Sequence, residues 1–333
     1  MSARSTMVGA AVAGIYHGRL TRALALVAAH VGPPAFPILT YHRVNDEGDP
    51  FFPALPTPVF ERHMAHVARH YRVLTVEALV ERMRRSDVPR NALAITFDDG
   101  YRDNLTHAAP ILARHGLPAT VFLATGLIGN GEVSWFDRLA MAVKLTTVPV
   151  LPAPWGERLD LATTPARLRT LERAQAALKA MPDDERSAGL ESLVEGLGGV
   201  DPRGFKSLML SWDDVQALAG MGFAIGSHTV SHPVLSRLSR ERAWAEILGS
   251  RTMIEAACGM TPKAFAYPNG RTEDYTTSVA RMVEEAGFTC AVTTRFGVNT
   301  AATSPWELHR GGPGEHDVPT FAVKLAASRL LAR

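Results

Sequence analysis

Cysteine is scarce in this chain of 333 residues, which contains only Cys258 and Cys290. Two cysteines are too few for the disulfide framework of a small secreted domain, and neither lies in a metal-binding spacing. We therefore expect both to be buried thiols in a reducing compartment. The sequence also lacks an internal repeat and a low-complexity tract, so nothing in it indicates a repeat architecture.

A strong charge imbalance and a long hydrophobic run are missing as well. The formal net charge is +2, with 46% hydrophobic and 20% charged residues. These values are ordinary for a globular protein and give no reason to expect nucleic acid or an acidic partner. No uncharged apolar stretch reaches the length that spans a bilayer. The chain length fits a single α/β barrel with insertions.

Residues 1–35 stand apart from the rest and are expected to form an N-terminal helical segment. Apolar side chains recur there at helical spacing: Leu20, Leu24, Val27 and Val31. Because Arg19 and Arg22 lie off this stripe, the helix is expected to pack on the domain, with peripheral association with a membrane as the alternative. The expected location is cytoplasmic, or membrane-peripheral if the alternative holds. The pattern carries no indication of oligomeric state.

From residue 36 to residue 333, apolar runs typical of strands alternate with amphipathic helical patterns. Strands are expected at residues 36–41, 92–95, 119–124, 223–226, 264–267 and 289–293. This alternation predicts a parallel sheet with crossover helices. Between about 130 and 210 the rhythm breaks, with helical patterns at 165–181 and 184–197 and a Pro-rich loop at 148–154. We interpret this segment as a helical insertion beside a barrel.

Two adjacent aspartates follow the second of these strands, in Thr96-Phe97-Asp98-Asp99-Gly100. Two like charges at the end of a buried strand require a compensating cation or hydrogen bonds. A metal ion would meet that requirement. An Asp-Gly turn at the surface is the alternative explanation.

A histidine pair, His228 and His232, follows a later strand in the same way. Their spacing lets both imidazoles reach one ion, although a lone pair of this kind is more often a surface or capping feature. The carboxyl ends of parallel strands share one face, where active sites are built, so we expect the histidines and aspartates to converge. One carboxylate and two histidines leave positions open for water and substrate, as a catalytic metal site requires.

A third polar cluster, Tyr267-Pro268-Asn269-Gly270-Arg271, ends another predicted strand. It is either a turn or a rigid loop that presents a backbone N–H to the reacting centre. The order Thr-Phe-Asp-Asp-Gly, His-Thr-x-x-His-Pro and Pro-x-Gly resembles the polysaccharide deacetylases, carbohydrate esterase family 4, over about residues 38–310. Residues 38–44 and 265–271 are similar to members associated with bacterial exopolysaccharide synthesis.

The resemblance implies a distorted (β/α) barrel of about seven strands and a hydrolase that removes N-acetyl groups from N-acetylhexosamine units of a glycan or glycan precursor. In it, Asp98 is the general base. The metal ligands are Asp99, His228 and His232, and the metal is most often Zn²⁺, with Co²⁺, Ni²⁺ or Mn²⁺ as alternatives. The metal would polarise the acetamide carbonyl and acidify a water molecule to a pKa of about 7. The backbone N–H of Asn269 would help to hold the oxyanion.

This chain departs from the family pattern in two places. The third motif usually carries an arginine two residues before its proline, where this chain has Ala266, so Arg271 or Arg310 is expected to replace it. The late Leu-x-His motif, the usual source of the general acid, has no clean match, because His309 is displaced by one residue. We favour His42, at the end of the first predicted strand, over His309 as the acid. The candidate substrate or oxyanion contacts are Tyr267, Asn269, Arg271 and Arg310.

Other functions compete with this interpretation. A metal-dependent amide hydrolase for a small non-sugar substrate is the nearest, and two histidines with one carboxylate also serve Fe(II) oxygenases. A non-catalytic sugar-binding protein is the third. The expected partner is an N-acetylated glycan, which Trp135 or Trp155 of the insertion would contact by stacking unless they only pack the insertion.

Overall fold

The computed structural model describes residues 34–205, 207–312 and 317–330. The helix expected near the N-terminus falls almost wholly outside these residues and stays a prediction. Within them, no helix is both long enough and apolar enough to cross a membrane.

A parallel sheet of seven strands forms the centre of the fold. In chain order these strands are β1 (Ile38–Tyr41), β2 (Arg72–Val73), β3 (Ala92–Phe97), β4 (Thr120–Leu123), β7 (Ala224–Ser227), β8 (Ala264–Ala266) and β9 (Cys290–Val292). They lie in the order β1-β3-β4-β7-β8-β9, and β2 pairs with the beginning of β3. Two further strands, β5 (Val150–Pro152) and β6 (Arg158–Asp160), form a separate antiparallel ribbon. The predicted fold class, a distorted (β/α) barrel, is confirmed.

Helices alternate with the strands of the sheet, and a group of three helices packs around a separate apolar core. The helices are α1 (Thr57–His70), α2 (Val76–Arg84), α3 (Ala109–Arg114), α4 (Trp135–Leu145), α5 (Thr164–Ala180), α6 (Asp183–Gly196), α7 (Trp212–Gly220), α8 (Arg240–Cys258), α9 (Thr277–Glu285) and α10 (Val318–Leu330). Local sequence sets their ends: Ser211 caps α7 with a capping box completed by Asp214, and Gly259 ends α8 in the left-handed conformation.

A short segment without strand periodicity closes the barrel between its two edge strands. Leu308 bridges to Val292 of β9, and Gly311 bridges to Leu39 of β1, both in parallel. The backbone N–H of Gly311 donates to the carbonyl of Ile38 at 3.0 Å. The closure places Arg310, which is only 1% exposed, inside the barrel.

The segment between β4 and α7 has an apolar core of its own. Helices α4, α5 and α6 pack around it, and Phe51 and Phe52 from the loop after β1 complete it. The prediction of a Pro-rich loop at residues 148–154 is wrong for Val150–Pro152, because these residues form a strand that pairs with Arg158–Asp160. Cross-strand pairing and the burial of Leu159 stabilise this ribbon, and Pro152 is tolerated because the ribbon has only edge strands.

Candidate metal centre and catalytic cleft

The end of β3 determines where the two aspartates point. Along this strand Ala92 and Ala94 face the barrel interior, whereas Leu93, Ile95 and Phe97 face the helices. Alternation therefore sends Asp98 inward. Asp99 would point outward, but its φ of +73° turns the chain at this residue. Both carboxylates are consequently buried at the barrel mouth, each 2% exposed.

Asp98 forms a two-pronged ion pair with Arg310. Nη1 of the arginine donates to Oδ1 at 2.7 Å, and Nη2 donates to Oδ2 at 2.8 Å. The guanidinium is itself held, because Nε donates to the carbonyl of Thr293 at 2.9 Å. Burial alone would raise the pKa of Asp98, but the neighbouring groups together, Arg310 foremost with His228 and His42, hold that pKa well below its usual range. Asp98 is therefore an oriented, ionised carboxylate.

The structure distinguishes the two arginines that the sequence left open. Arg310 is buried and forms the ion pair with Asp98, whereas the side chain of Arg271 is exposed at the rim of the cleft. The backbone N–H of Arg271 donates to Asp274 at 2.9 Å, so the loop around Arg271 is fixed by its backbone. The residue that holds Asp98 thus comes from the segment that closes the barrel.

Asp99, His228 and His232 converge on one buried point. Nε2 of His228 lies 3.5 Å from Oδ1 of Asp99, and Nε2 of His232 lies 3.4 Å from the same oxygen. One ligand atom from each of the three residues lies within 4.8 Å of the others. This Oδ1 is buried and has no hydrogen-bond partner among the residues that the structure describes. A buried, unpaired carboxylate oxygen facing two imidazole nitrogens fits a metal ion.

Protonation of the three residues also fits a metal centre. Burial lowers the pKa of His228 to about 4, and it lowers the pKa of His232 as well. Both rings are therefore neutral at pH 7, which is the form that binds metals. Nδ1 of His228 lies 2.7 Å from the carbonyl of Ala266, so Nδ1 carries the proton and Nε2 is free for an ion. Burial and the neighbouring Asp98 raise the pKa of Asp99 when no metal is bound. A cation is therefore required to keep this carboxylate ionised.

A glutamate that the motif analysis missed holds the turn between the two histidines. Oε2 of Glu246, on α8, accepts from the backbone N–H of Val230 at 2.8 Å and from that of Ser231 at 2.9 Å. The backbone N–H of His232 donates to Oγ1 of Thr229 at 3.1 Å. These bonds fix the direction of the second imidazole. Glu246 lies in the interior of α8, outside every motif that the sequence offers, so the sequence carried no signal for this role.

The two candidate acids occupy different places. Nε2 of His42 lies 4.0 Å from Oδ2 of Asp98, and its side chain is 53% exposed at the cleft. Its backbone carbonyl accepts from Nδ2 of Asn104 at 2.8 Å. His309 is not among the cleft-lining residues. Its backbone carbonyl accepts from Nδ2 of Asn299 at 2.9 Å, and its backbone N–H donates to Oδ1 of Asn299 at 2.8 Å. The His309 ring lies against Gly297, where a Cβ would be 2.6 Å from its Nδ1.

The segment after β8 contributes Asn269 and Arg271 to the cleft and Tyr267 to the core. Asn269 lines the cleft with a φ of +60°, and its buried Nδ2 has no hydrogen-bond partner in the described part of the chain. Gly270 is required by space, because a Cβ there would lie 2.8 Å from the backbone nitrogen of Thr294. Tyr267 is fully buried, stacks on Tyr275 and donates to the carbonyl of Trp306, so it does not line the cleft.

The first turn of α4 brings the insertion against the metal centre. The ring of Phe136 meets His232 edge to face, with centroids 5.2 Å apart. Tyr101, two residues after Asp99, donates its hydroxyl to Asp137 at 2.8 Å, and Ser134 donates to the same oxygen. Burial raises the pKa of Asp137 to about 6. The Ser-x-x-Asp start of α4 was the available sequence signal for this contact.

The cleft has a volume of about 790 Å³. Its lining residues are His42, Arg43, Pro50, Phe51, Phe52, Pro53, Asp98, Asp99, Tyr101, Trp135, Phe136, Asp137, Ala140, Leu168, Leu171, Glu172, Gln175, Ala176, Lys179, His228, His232, Asn269, Arg271 and Thr294. Trp135 contributes to this wall but is only 9% exposed and packs in the core of the insertion. Trp155 packs against the same core and is not among the lining residues.

Comparisons with known proteins agree on one family. The family model described as polysaccharide deacetylase matches residues 85–291. YxkH of Bacillus subtilis (strain 168), named as a candidate polysaccharide deacetylase, is 22% identical over 280 residues, which is 84% of this chain and 71% of YxkH.

Two solved structures share the fold. The Streptococcus pyogenes deacetylase PplD, in complex with acetate, has a TM-score of 0.58 at 18% identity and covers 84% of this chain and 93% of its own. A de-N-acetylase from Aggregatibacter actinomycetemcomitans has a TM-score of 0.53 at 16% identity, covering 83% of this chain and 94% of its own. At these identities the likeness extends to the fold alone.

Proposed function

This chain belongs to the polysaccharide deacetylase family, and we propose that it is a metal-dependent hydrolase that removes N-acetyl groups from N-acetylhexosamine units of a glycan or glycan precursor. The observation that carries the proposal is the separation of two adjacent carboxylates. Asp98 is paired with Arg310, whereas Oδ1 of Asp99 is unpaired and faces two imidazoles. One carboxylate is thereby available as a base and the other as a metal ligand.

Asp99, His228 and His232 are the proposed metal ligands, and Zn²⁺ is the proposed metal. Three protein ligands of this kind leave a position open, and Zn²⁺ accepts one carboxylate with two histidines. When bound, the metal supplies Lewis acidity, which polarises the acetamide carbonyl and makes water acidic enough to lose a proton near neutral pH. The neutral state of both imidazoles supports this assignment.

Asp98 is the proposed general base. Arg310 keeps it ionised and fixes its orientation, so no proton must be removed before it acts. It accepts one proton from the water that attacks the acetyl carbon, and such transfers typically contribute about 10²–10⁴-fold to the rate. The backbone N–H of Asn269, in the rigid loop after β8, is the proposed donor to the developing oxyanion.

His42 is the proposed general acid. Its imidazole lies at the exposed side of the cleft, 4.0 Å from Asp98. It donates a proton to the amide nitrogen as the C–N bond breaks, which releases acetate and leaves a free amine on the sugar. An amine is a poor leaving group unless it is protonated, and a histidine can donate that proton. Burial lowers the pKa of His42, whereas the neighbouring Asp98 opposes this shift and favours the protonated imidazole.

Acetate release from a panel of N-acetylated glycans tests the proposed function. The panel contains N-acetylglucosamine oligomers of β-1,4 and β-1,6 linkage and a small non-sugar acetamide. We expect acetate from sugar substrates, loss of release with a chelator, and recovery with Zn²⁺. Release from the small amide alone would favour the amide-hydrolase alternative, and sugar binding without any acetate would favour a binding protein.

A further inference from the structure

The insertion is anchored to loops on both sides of the catalytic cleft. On the β1 side, Phe51 and Phe52 join its apolar core, and Lys144 of α4 pairs with Asp49. On the β8 side, Lys179 of α5 pairs with Asp274 at 3.2 Å. The carboxylate of Asp274 is 2% exposed, so this second pair is partly desolvated.

Two further contacts lie between these anchors. Asp137 accepts from Tyr101 in the loop after β3, and Phe136 packs on His232 in the loop after β7. The insertion therefore contacts the loops that follow β1, β3, β7 and β8. It also begins after β4 itself. Because the insertion contacts or follows the ends of β1, β3, β4, β7 and β8, it lies across the barrel mouth.

One face of α5 forms the wall opposite the catalytic groups. Glu172, Gln175 and Lys179 recur at three- and four-residue spacing and line the same cleft as Asp98 and His228. A deacetylase that acts within a polymer needs a groove open at both ends, because the chain continues on both sides of the reacting sugar. A wall that is anchored on both sides of the cleft would block the path of the chain at one of these ends.

We propose, on the premise of the proposed function, that the insertion makes this an enzyme for chain ends and short oligosaccharides. The cleft volume of about 790 Å³ falls within the range that encloses one drug-sized ligand, and a disaccharide of N-acetylhexosamine has that size. The substrate class is therefore a short glycan or the terminal sugars of a longer one, deacetylated at one unit. Glu172 is its specificity-determining residue, because its exposed carboxylate accepts hydroxyl groups of the sugar farther from the metal.

A length series of N-acetylglucosamine oligomers, from one to six units and in polymer form, tests this proposal on the full-length wild-type enzyme. The rate per chain is expected to rise to the disaccharide and then stay constant. Mass spectrometry of the hexamer is expected to place the free amine within the terminal two units. Free amines at interior units, with rates that rise for each added sugar, would overturn the proposal and leave the deacetylase function intact. No acetate from any oligomer would refute the proposed function, and this inference with it.

Glu172→Gln tests the wall itself, with Glu195→Gln as the matched control. Both glutamates are exposed on helices of the insertion, but only Glu172 lines the cleft. The glutamine keeps one acceptor oxygen but loses the charge, and the weaker hydrogen bonds to the sugar are expected to raise KM for the disaccharide about tenfold with little change in kcat. The control is expected to match the wild type. An unchanged KM in Glu172→Gln would overturn the assignment of α5 as a substrate-binding wall.

Discussion

The barrel mouth and the insertion face the same cleft with different kinds of side chain. At the mouth, the charged groups are buried and held by one another, as in the pair of Asp98 and Arg310. On α5 of the insertion, the cleft is lined by apolar residues such as Leu171 and by long polar residues that are at least partly exposed, such as Glu172 and Gln175. Buried and paired groups keep one geometry, which chemistry requires. Exposed polar groups adapt to a substrate. We therefore infer that the barrel mouth carries out the reaction and that α5 selects the substrate.

The contact between the two regions is short and specific. Phe136 packs on a proposed metal ligand, and Asp137 binds Tyr101, so the first turn of α4 belongs to both regions. Substitutions at the mouth are expected to remove activity, and substitutions away from the cleft are expected to cost stability only. The loss of activity is expected to be largest for the residues proposed to bind the metal.

Alanine at any proposed metal ligand is expected to remove both metal and activity. Asp99→Ala, His228→Ala and His232→Ala each leave two ligands, and even the loss of a group that only supports a ligand costs about 10–100-fold in metal affinity. Elemental analysis and acetate release measure the two effects. His107→Ala, which changes a histidine outside the cleft, is the control and is expected to retain both. Full metal content in all three ligand variants would exclude this ligand set.

Arg310→Met is expected to destabilise the fold by about 3–5 kcal/mol at pH 7, because it leaves a buried carboxylate without its partner. Arg271→Met, at an exposed position, is expected to change stability by no more than about 0.5 kcal/mol. Denaturant unfolding of both variants measures the difference. Equal stability of the two variants would mean that Arg310 does not hold Asp98.

The same variant has a defined pH dependence. Because Arg310 lowers the pKa of Asp98 in the folded state, the stabilisation is fully present above the ordinary aspartate pKa of about 3.9. It is lost as the pH falls below that value towards the lowered pKa. In Arg310→Met, burial without the arginine raises the pKa of Asp98, so the stability of the variant falls as the pH rises above about 4. The difference in unfolding free energy between wild type and Arg310→Met is therefore expected to be small below about pH 4 and to grow as the pH rises towards about 8. A difference that grows on acidification would contradict this assignment.

His42→Ala is expected to lower kcat/KM by about 10²–10⁴-fold and to flatten the alkaline limb of its pH profile, because it removes the proton donor. His309→Ala serves as the comparison, since its side chain is not part of the cleft lining. It is expected to keep both the rate and the shape of the profile. If the alkaline limb flattens in His309→Ala and persists in His42→Ala, the two roles are reversed.

The smallest effect on catalysis is expected for Trp155→Ala. Trp155 packs on the core of the insertion and donates to Glu157 at 3.1 Å, away from the cleft lining. Its removal is expected to lower the melting temperature while KM for oligosaccharides stays within about twofold of wild type. A large rise in KM without loss of stability would mean that Trp155 stacks on a sugar.

Much of the fold could be predicted from sequence because its signals are local. Buried parallel strands such as Ala92–Phe97 are continuous apolar runs, and the caps and glycines of the helices mark their ends. The ribbon of Val150–Pro152 and Arg158–Asp160 could not be read in this way. Its strands are three residues long and are defined by each other, so no periodicity precedes the pairing.

The same distinction applies to the site. Asp98, Asp99, His228 and His232 follow strands directly, so topology alone predicted that they would share one face. The choice between Arg271 and Arg310 was beyond sequence, because Arg310 reaches Asp98 from a segment that has no strand pattern and closes the barrel through isolated bridges. Long-range contacts of this kind are set by packing.

The central claim is that the two adjacent aspartates have separate roles, and metal content measured beside acetate release tests it most directly. In Asp98→Asn, the metal is expected to remain stoichiometric while kcat falls by about 10²–10⁴-fold, because asparagine keeps the shape but cannot accept the proton. In Asp99→Asn, metal and activity are expected to be lost together. If Asp98→Asn loses the metal while Asp99→Asn keeps it, the roles assigned to the two carboxylates are contradicted.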